Sequence, residues 1–329
     1  MKKLLLTLLF LLGFMACNKK QEPVQETVIE SKVEIERLKV VTTIFSTYDF
    51  AKEIGKEKAE VKLLLPPGIE AHSYEPTPRD IADINNADVF IYTSKEMEPW
   101  VEKLLNSLSN KDLIIVDASK GIQMKEFNFD DHKHEHNDEN HEEETHGVDP
   151  HIWTDPLMAI SIVENIYQGF VSANAENKDF FESNKLAYTK KLNELDEKFT
   201  DLISKSKKRE IISGGHFVFG YLINRLELTY HSAYESFSPN AEPTPKQMKE
   251  LKEAIKEVGT KYVYFEELVD PKLAKLLSQE LGMEMLLLHG AHNVSKEEIE
   301  KGLSYYDIMI QNIENLKLGL QYDEKNNGN

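Results

Sequence analysis

The order of strand-like and helix-like segments is the feature that most restricts how this chain can fold. Before residue 120, short runs rich in β-branched residues alternate with segments of helical spacing, and Gly or Pro residues often separate them. The predicted strands are Leu38–Phe45, Ala59–Leu65, Asp88–Thr93 and Leu113–Asp117. The predicted helices are Tyr48–Ile54, Pro78–Asn86, Met97–Leu108 and, after a long insertion, Asp155–Phe170. Such alternation predicts a parallel sheet with helices on both faces.

The second half of the chain repeats this alternation. Its predicted strands are Glu210–Ser213, Leu228–Ala233, Lys261–Phe265 and Glu284–His289. Its predicted helices are Phe217–Arg225, Pro245–Val258, Pro271–Leu281 and Ser295–Leu318. The sequence therefore predicts an α/β fold of two lobes, each a roughly four-stranded parallel sheet flanked by helices. We expect the lobes to span residues 37–175 and 207–322, with a tail at residues 323–329.

A long amphipathic segment separates the two halves. Between Asn177 and Ser206 apolar residues recur at three-and-four spacing, and no Gly or Pro interrupts them. This length exceeds that of the usual globular helix. We predict that residues 176–206 form one rigid helix joining the lobes. The alternative is an ordinary long helix inside a single domain.

Six of the eleven histidines lie in the stretch from Lys125 to Pro156. Five of them are interspersed with many acidic residues: His132, His134, His136, His141 and His146. So polar a run buries too little apolar surface to offset the entropy of ordering it, so residues 126–147 are expected to form a flexible loop. Because histidine-rich tracts are typical of metal binding, we predict a low-affinity metal-collecting loop. The alternative is a solvated insertion without function.

The N-terminus indicates the compartment. A short basic start, Met1-Lys2-Lys3, precedes an apolar stretch of signal-peptide length and then Ala16-Cys17, and Cys17 is the sole cysteine. This pattern resembles a bacterial lipoprotein signal, which implies lipidation of Cys17 and a mature chain anchored to the membrane outside the cytoplasm. Residues 18–36 are polar and predict a flexible tether. The alternative is a plain signal peptide with an incidental thiol.

The formal charge of −18 argues against nucleic acid as a partner, because phosphate binding requires basic patches. With 40% hydrophobic and 29% charged residues, the folded part has the profile of a soluble globular protein. No segment after the N-terminus is apolar and long enough to cross a membrane. Nothing in the sequence indicates more than a monomer.

Isolated histidines follow predicted strands in both halves. His72 follows the second strand, His151 follows the fourth strand and the insertion, and His216 follows the first strand of the second half. His289 and His292 follow the last strand. Any one of them alone would more often be structural, but ligands bind beyond the carboxyl ends of parallel strands. We therefore expect these histidines to converge in one cleft.

Four imidazoles suit the tetrahedral coordination of Zn²⁺, whereas Mn²⁺, Mg²⁺ and Ca²⁺ prefer oxygen ligands. Neighbouring carboxylates are expected to orient the ligating rings, and the candidates are Glu70, Glu75, Asp155, Glu235 and Glu266. Glu235 or Glu266 could also replace one histidine as a ligand. We predict Zn²⁺ as the bound ion, with Mn²⁺ less favoured.

Several motifs together resemble the zinc branch of the metal-binding solute receptors of bacterial ABC transporters. They are the lipoprotein start, Glu70-Ala71-His72-Ser73-Tyr74-Glu75-Pro76, the acidic His-rich loop before Asp149-Pro150-His151-Ile152-Trp153, Gly215-His216 with Phe219-Gly220-Tyr221, and Ala241-Glu242-Pro243-Thr244-Pro245. The resemblance extends from about Leu38 to the C-terminus. It implies two lobes joined by one long helix, with a buried metal between them.

The resemblance also implies a set of metal ligands. The first three are His72, His151 and His216, and histidine at the third place resembles the zinc members rather than the manganese members, which typically have glutamate there. At the fourth place, where the family commonly has aspartate, this chain has His289-Gly-Ala-His292-Asn-Val-Ser. His292 fits that pattern best, and His289 or a carboxylate is the alternative.

The expected function is an extracytoplasmic receptor that captures Zn²⁺ and delivers it to an ABC-type membrane permease, without enzymatic activity. One alternative is an extracytoplasmic zinc hydrolase, which needs an open coordination position and a carboxylate base. No His-Glu-x-x-His motif is present, and a fourth histidine would close such a site. Another alternative is an adhesin or a passive metal buffer.

Overall fold

The computed structural model describes residues 37–127, 147–216, 218–234 and 243–325. Several predictions lie outside these residues. They concern lipidation of Cys17, the tether at residues 18–36, the five loop histidines between residues 132 and 146, and Glu235.

The first half forms one four-stranded parallel sheet. Its strands are β1 (Leu38–Thr42), β2 (Ala59–Leu63), β3 (Val89–Tyr92) and β4 (Ile114–Asp117), in the order β2-β1-β3-β4. Its helices are α1 (Phe45–Gly55), α2 (Pro78–Asn85), α3 (Val101–Ser107) and α4 (Pro156–Ala173). Every residue of β3 is buried, which agrees with a strand covered on both faces.

Two short strands mark the ends of the His-rich insertion. β5 (Glu126–Phe127) and β6 (Gly147–Val148) pair antiparallel, with Glu126 opposite Val148 and Phe127 opposite Gly147. Two-residue strands are too short to show a periodic pattern of apolar residues in the sequence. The pairing means that the outermost residues of the segment predicted as a loop, residues 126–147, belong to a two-stranded ladder.

The long helix between the halves is confirmed. α5 (Lys178–Lys205) has 28 residues. It packs against α1 and α4 of the first half and also against α10 (Tyr305–Gly319), near the C-terminus. Its buried residues follow helical spacing along one face: Phe181, Tyr188, Leu192, Leu195, Phe199 and Leu202. This single face therefore joins elements from both halves of the chain.

The second half forms a second four-stranded parallel sheet, so the prediction of two α/β lobes is confirmed. Its strands are β7 (Glu210–Ser213), β8 (Thr229–Ser232), β9 (Tyr262–Phe265) and β10 (Glu284–Leu287), in the order β10-β9-β7-β8. The remaining helices are α6 (Gly220–Arg225), α7 (Pro245–Val258), α8 (Lys272–Leu281) and α9 (Lys296–Glu300). In both sheets the first strand lies between the second and third strands, so the two lobes share one topology.

The prediction of a single helix over Ser295–Leu318 is wrong. The structure has two helices, α9 and α10, separated by residues 301–304. Gly302 there has a φ of +73°, a left-handed conformation that favours glycine and ends α9. Ser304 then caps α10, because its side chain accepts a hydrogen bond from the backbone N–H of Asp307.

Other boundaries shift by a few residues. Phe45 belongs to α1 rather than to the preceding strand, α3 begins at Val101 rather than Met97, and α6 begins at Gly220. By the contacts between its residues, the described part of the chain is one compact unit that contains both sheets. Among the described residues no helix combines the length and the apolar character that a membrane span requires.

The role of α5 can be tested with two leucines of the same helix. Leu192 is fully buried, whereas Leu186 is 58% exposed. We expect Leu192→Ala to lower the free energy of unfolding by about 2–5 kcal/mol, because it leaves a cavity in the shared core. Leu186→Ala should change it by about 0.5 kcal/mol or less. Urea unfolding measures both, and equal effects would contradict the packing described for α5.

Candidate metal centre

Three histidines from separate loops meet at one point. One ring nitrogen from each of His72, His151 and His216 lies within 4.8 Å of the corresponding atoms of the other two. The Nε2 atoms of His72 and His151 are 3.1 Å apart. Ring centroids are 5.0 Å apart for His72 and His151, and 5.6 Å for each of them with His216. The structure thus brings together three of the residues predicted from the sequence.

The backbone explains why these rings converge. His72 lies in the loop after β2, His151 lies between β6 and α4, and His216 follows β7. The loops after β2 and β7 leave the carboxyl ends of parallel strands, where ligands bind in open α/β sheets. Two of the histidines come from the first lobe and one from the second, so the cluster lies between the lobes.

His292 is the fourth histidine of this cluster. Its ring centroid is 6.2 Å from that of His216 and 6.5 Å from that of His72. His289 is also buried, but its surroundings differ, because its Nδ1 accepts a hydrogen bond of 3.0 Å from the backbone N–H of Ala291. Its backbone N–H donates to Oδ1 of Asn312, and Nδ2 of Asn312 donates to its carbonyl oxygen, both at 2.8 Å.

Carboxylates contact the Nδ1 atoms of the clustered histidines. Oδ1 of Asp149 lies 2.7 Å from Nδ1 of His151, and Oε2 of Glu266 contacts Nδ1 of His216. Oε1 of Glu267 lies 3.5 Å from Nδ1 of His292 and 3.3 Å from Nδ1 of His289. A carboxylate at Nδ1 fixes the tautomer and ring orientation and leaves Nε2 free to face an ion.

Sequence reasoning identified only part of this carboxylate set. Glu266 was predicted, whereas Asp149 and Glu267 were missed. Asp149 is two residues before His151, and Glu267 is adjacent to Glu266 after β9. This closeness in sequence to predicted site residues is the feature that could have identified both carboxylates.

The other predicted carboxylates do different things. The carboxylate of Glu70 accepts hydrogen bonds from the backbone N–H groups of His72 (2.6 Å) and Ser73 (2.8 Å), so it shapes the loop rather than the ring. Asp155 accepts from the backbone N–H of Leu157 at the start of α4 and from Nε of Arg225. Glu75 is exposed.

Burial lowers the pKa values of His72, His151 and His292. Loss of solvent, followed by the neighbouring histidines, lowers the pKa of His72 to about 3. The same causes lower the pKa of His151 well below its usual value, and burial also lowers the pKa of His292. A neutral imidazole is the form that binds a metal ion.

Burial alone would raise the pKa of Glu267, but the facing His289 and His292 hold it below its usual value. Glu267 therefore places negative charge beside His292, which favours a cation, whereas burial raises the pKa of Asp149 to about 8.

The donor set fits a metal ion better than an internal hydrogen-bond network. Nε2 of His216 is buried and has no hydrogen-bond partner among the described residues. A buried polar atom without a partner is costly, so its lone pair is expected to bind something. Among the described residues, the carboxylates of Asp149, Glu266 and Glu267 face Nδ1 atoms of the histidines.

Comparison with known proteins finds relatives that are named for zinc uptake. Residues 40–319 match the family model described as "Zinc-uptake complex component A periplasmic". The chain is 39% identical over 282 residues to the high-affinity zinc uptake system protein ZnuA of Bacillus subtilis (strain 168), covering 86% of this chain and 87% of that protein.

Two further relatives come from streptococci. The chain is 34% identical to the zinc-binding protein AdcA of Streptococcus pyogenes serotype M3, covering 96% of this chain but only 61% of AdcA. The crystal structure of the Zn(II)-bound ZnuA-like domain of Streptococcus pneumoniae AdcA superposes with a TM-score of 0.72 at 31% identity, covering 86% of this chain and 99% of that one. The chain thus corresponds to one part of the longer AdcA proteins.

The lowered pKa of His72 predicts how acid affects the metal-free protein. Because an unfolded histidine titrates near pH 6.5, only the unfolded state binds this proton between pH 6.5 and about 3, so the native state loses stability as the pH falls. His72→Gln removes this loss. The free energy of unfolding of the variant, compared with that of wild type, should therefore increase by up to about 1.4 kcal/mol for each pH unit below 6.5. Urea unfolding of chelator-treated proteins at pH 7.5 and 5.5 measures the difference, and a constant difference would refute the prediction.

Proposed function

This chain belongs to the family of the periplasmic zinc-uptake complex component A, and we propose that it is a receptor that captures Zn²⁺ in the cleft between its two lobes. The convergence of His72, His151 and His216 from separate loops is the observation that carries this proposal. Zn²⁺ is the cargo of the protein, and the family is one of solute receptors rather than enzymes. Delivery to an ABC-type permease follows from the role of a zinc-uptake component.

The first three ligands in this proposal are the Nε2 atoms of His72, His151 and His216. We propose His292 as the fourth ligand, because its ring lies 6.2 Å from that of His216 and 6.5 Å from that of His72, and Glu267 contacts its Nδ1. His289 is less suitable: the backbone N–H of Ala291 occupies its Nδ1 lone pair, so in the neutral ring Nε2 carries the proton. Glu267 itself is the carboxylate alternative for the fourth place.

Nitrogen ligands explain the preference for zinc. Four imidazoles match the tetrahedral coordination of Zn²⁺, whereas Mn²⁺ prefers carboxylate and water oxygens. The affinity comes from ligands that burial and the carboxylates behind them already hold in place. Release would follow when the permease stabilises a conformation in which the lobes or a ligand loop separate.

The His-rich insertion is proposed to collect zinc at low affinity and raise its concentration near the cleft. Its five histidines, His132, His134, His136, His141 and His146, lie outside the described residues. The two ends of the insertion pair in the β5–β6 ladder, which immediately precedes Asp149 and His151 in the chain. β6 ends at Val148, and Asp149 and His151 follow directly.

We further propose that lipidation of Cys17 anchors the chain, as a monomer, at the outer side of the cytoplasmic membrane or in the periplasm. A relative from Streptococcus pneumoniae is named a zinc-binding lipoprotein, which supports this view. The lobe limits at residues 175 and 207 are likewise proposals, and α5 between them supports these limits.

Zinc calorimetry on residues 18–329 tests the receptor. We expect one tight equivalent that persists when residues 128–146 are deleted and an Asn-Gly turn is put in their place, since two residues can connect the paired strands β5 and β6. His72→Ala, His151→Ala, His216→Ala and His292→Ala should each weaken this equivalent by more than about tenfold, since each removes a direct ligand.

His289→Ala is the matched control for His292→Ala, since both histidines are buried and contact Glu267. It should leave a tight equivalent with a smaller loss of affinity. If the 128–146 deletion abolished tight binding, the protein would be a passive metal buffer rather than a receptor. If the alanines at the three converging histidines had no effect, the cleft site would be wrong.

A further inference from the structure

We propose that Asn293 is a positioning residue for zinc binding, because its side chain joins the loop that carries His72 to the loop that carries His292. This inference rests on the proposed zinc site. It concerns how two ligand loops from different lobes keep a fixed separation. Asn293 is not itself a ligand in this proposal, since its side-chain groups are all used in hydrogen bonds within the protein.

The side chain of Asn293 is fully buried and uses both of its polar atoms. Its Nδ2 donates one hydrogen bond to the carbonyl oxygen of Pro66 at 3.0 Å and one to that of Ile69 at 2.5 Å. Its Oδ1 accepts from the backbone N–H of Val294 at 2.7 Å. Only a primary amide offers two donors and an acceptor in this arrangement, so no isosteric side chain can replace it.

These bonds fix the turn that precedes His72. Within the turn the backbone N–H of Ile69 donates to the carbonyl oxygen of Pro66, and Gly68 adopts a φ of +79°. The backbone N–H of Gly68 also donates to the carbonyl oxygen of Val294 at 3.2 Å. Asn293 thus bonds to both ends of the turn, Pro66 and Ile69, and Val294 bonds to Gly68 between them. His72 lies only three residues after Ile69.

The backbone on the other side of Asn293 is held equally firmly. The carbonyl oxygen of His292 accepts a hydrogen bond of 2.9 Å from the backbone N–H of Phe45, at the start of α1. The carbonyl oxygen of Gly290 accepts one of 2.7 Å from Nε1 of Trp153. Segment 290–294 comes from the second lobe, where Gly290 and Ala291 also donate hydrogen bonds to Glu267 and His289. Its other hydrogen bonds named here go to Phe45, Trp153 and residues 66–69 of the first lobe.

The consequence is a fixed spacing between His72 and His292. Without the side chain of Asn293, the turn at residues 66–69 keeps only one bond to segment 290–294, and the His72 loop gains freedom. Binding zinc must then order that loop, which lowers the affinity. Loss of a partner that orients a ligand typically reduces metal affinity about 10- to 100-fold.

The test compares Asn293→Ala with Asn165→Ala in the full chain. Asn165 is the matched control, because its Nδ2 also donates to two backbone carbonyl oxygens, those of Ala118 and Lys120, both at 2.9 Å. Neither carbonyl belongs to a loop segment that holds His72 or His292. Affinity for the tightest zinc equivalent is measured by competition with a chelator, and urea unfolding of the metal-free proteins is measured in parallel.

We expect Asn293→Ala to weaken the tightest zinc equivalent about 10- to 100-fold while Asn165→Ala leaves it unchanged. Both substitutions should lower the stability of the metal-free protein, so stability alone does not separate them. Co²⁺ gives a second readout, since its visible absorption is strong in tetrahedral sites. In Asn293→Ala this absorption should reach its full intensity only at higher Co²⁺ concentration, because binding must first order the loop that carries His72. Asn293→Ser, a milder change, should give an intermediate loss and covers the case in which the alanine variant does not fold.

The outcomes separate this inference from the proposed function. If His216→Ala weakens zinc binding but the Asn293 variants bind zinc like wild type, only the positioning role is refuted. It is also refuted if Asn165→Ala weakens zinc binding as much as Asn293→Ala. If His216→Ala binds zinc like wild type, the zinc site itself is wrong, whatever Asn293 does.

Discussion

Burying several imidazoles at one point is the constraint on which the rest of this structure depends. A buried lone pair without a partner is unfavourable, and His216 has such an atom, Nε2. Burial also lowers the pKa values of His72 and His151, so these two rings are neutral at neutral pH. The metal-free native state therefore holds unfavourable energy at this site. An ion that binds only the native state offsets that energy, which couples zinc binding to stability.

The fold meets this constraint by repeating one topology. In each sheet the first strand lies between the second and third strands, and the histidine-bearing loops extend from carboxyl ends of strands. Imidazoles from a single lobe would leave one side of an ion open to water. Two lobes that share the buried face of α5 surround it, and Trp153, whose ring lies 5.3 Å from that of His151, supplies an apolar wall. Carboxylates lie behind the rings, in contact with Nδ1 of His151, His216 and His292.

Much of the architecture could be predicted because it depends on local chemistry. The ends of α7 were predicted correctly since Thr244 and Pro245 begin it and Gly259, with a left-handed φ of +60°, ends it. β7 was also placed correctly. The break between α9 and α10 was missed because apolar residues keep a helical spacing through residues 301–304. One continuous helix was therefore predicted although Gly302 can end a helix. Asp149 and Glu267 were missed because their contacts to histidines depend on tertiary packing, which periodicity does not encode.

The sequence alone does not distinguish the environments of His289 and His292. Both are buried, both contact Glu267, and only two residues separate them. The backbone between them makes the difference. Ala291 has a φ of +57°, a conformation that favours glycine, and its N–H donates to Nδ1 of His289. This turn uses the lone pair of one imidazole and directs the next histidine towards the cluster. In the proposed site, the preference for His292 over His289 thus depends on the backbone conformation at Ala291, which the order of residue types does not reveal.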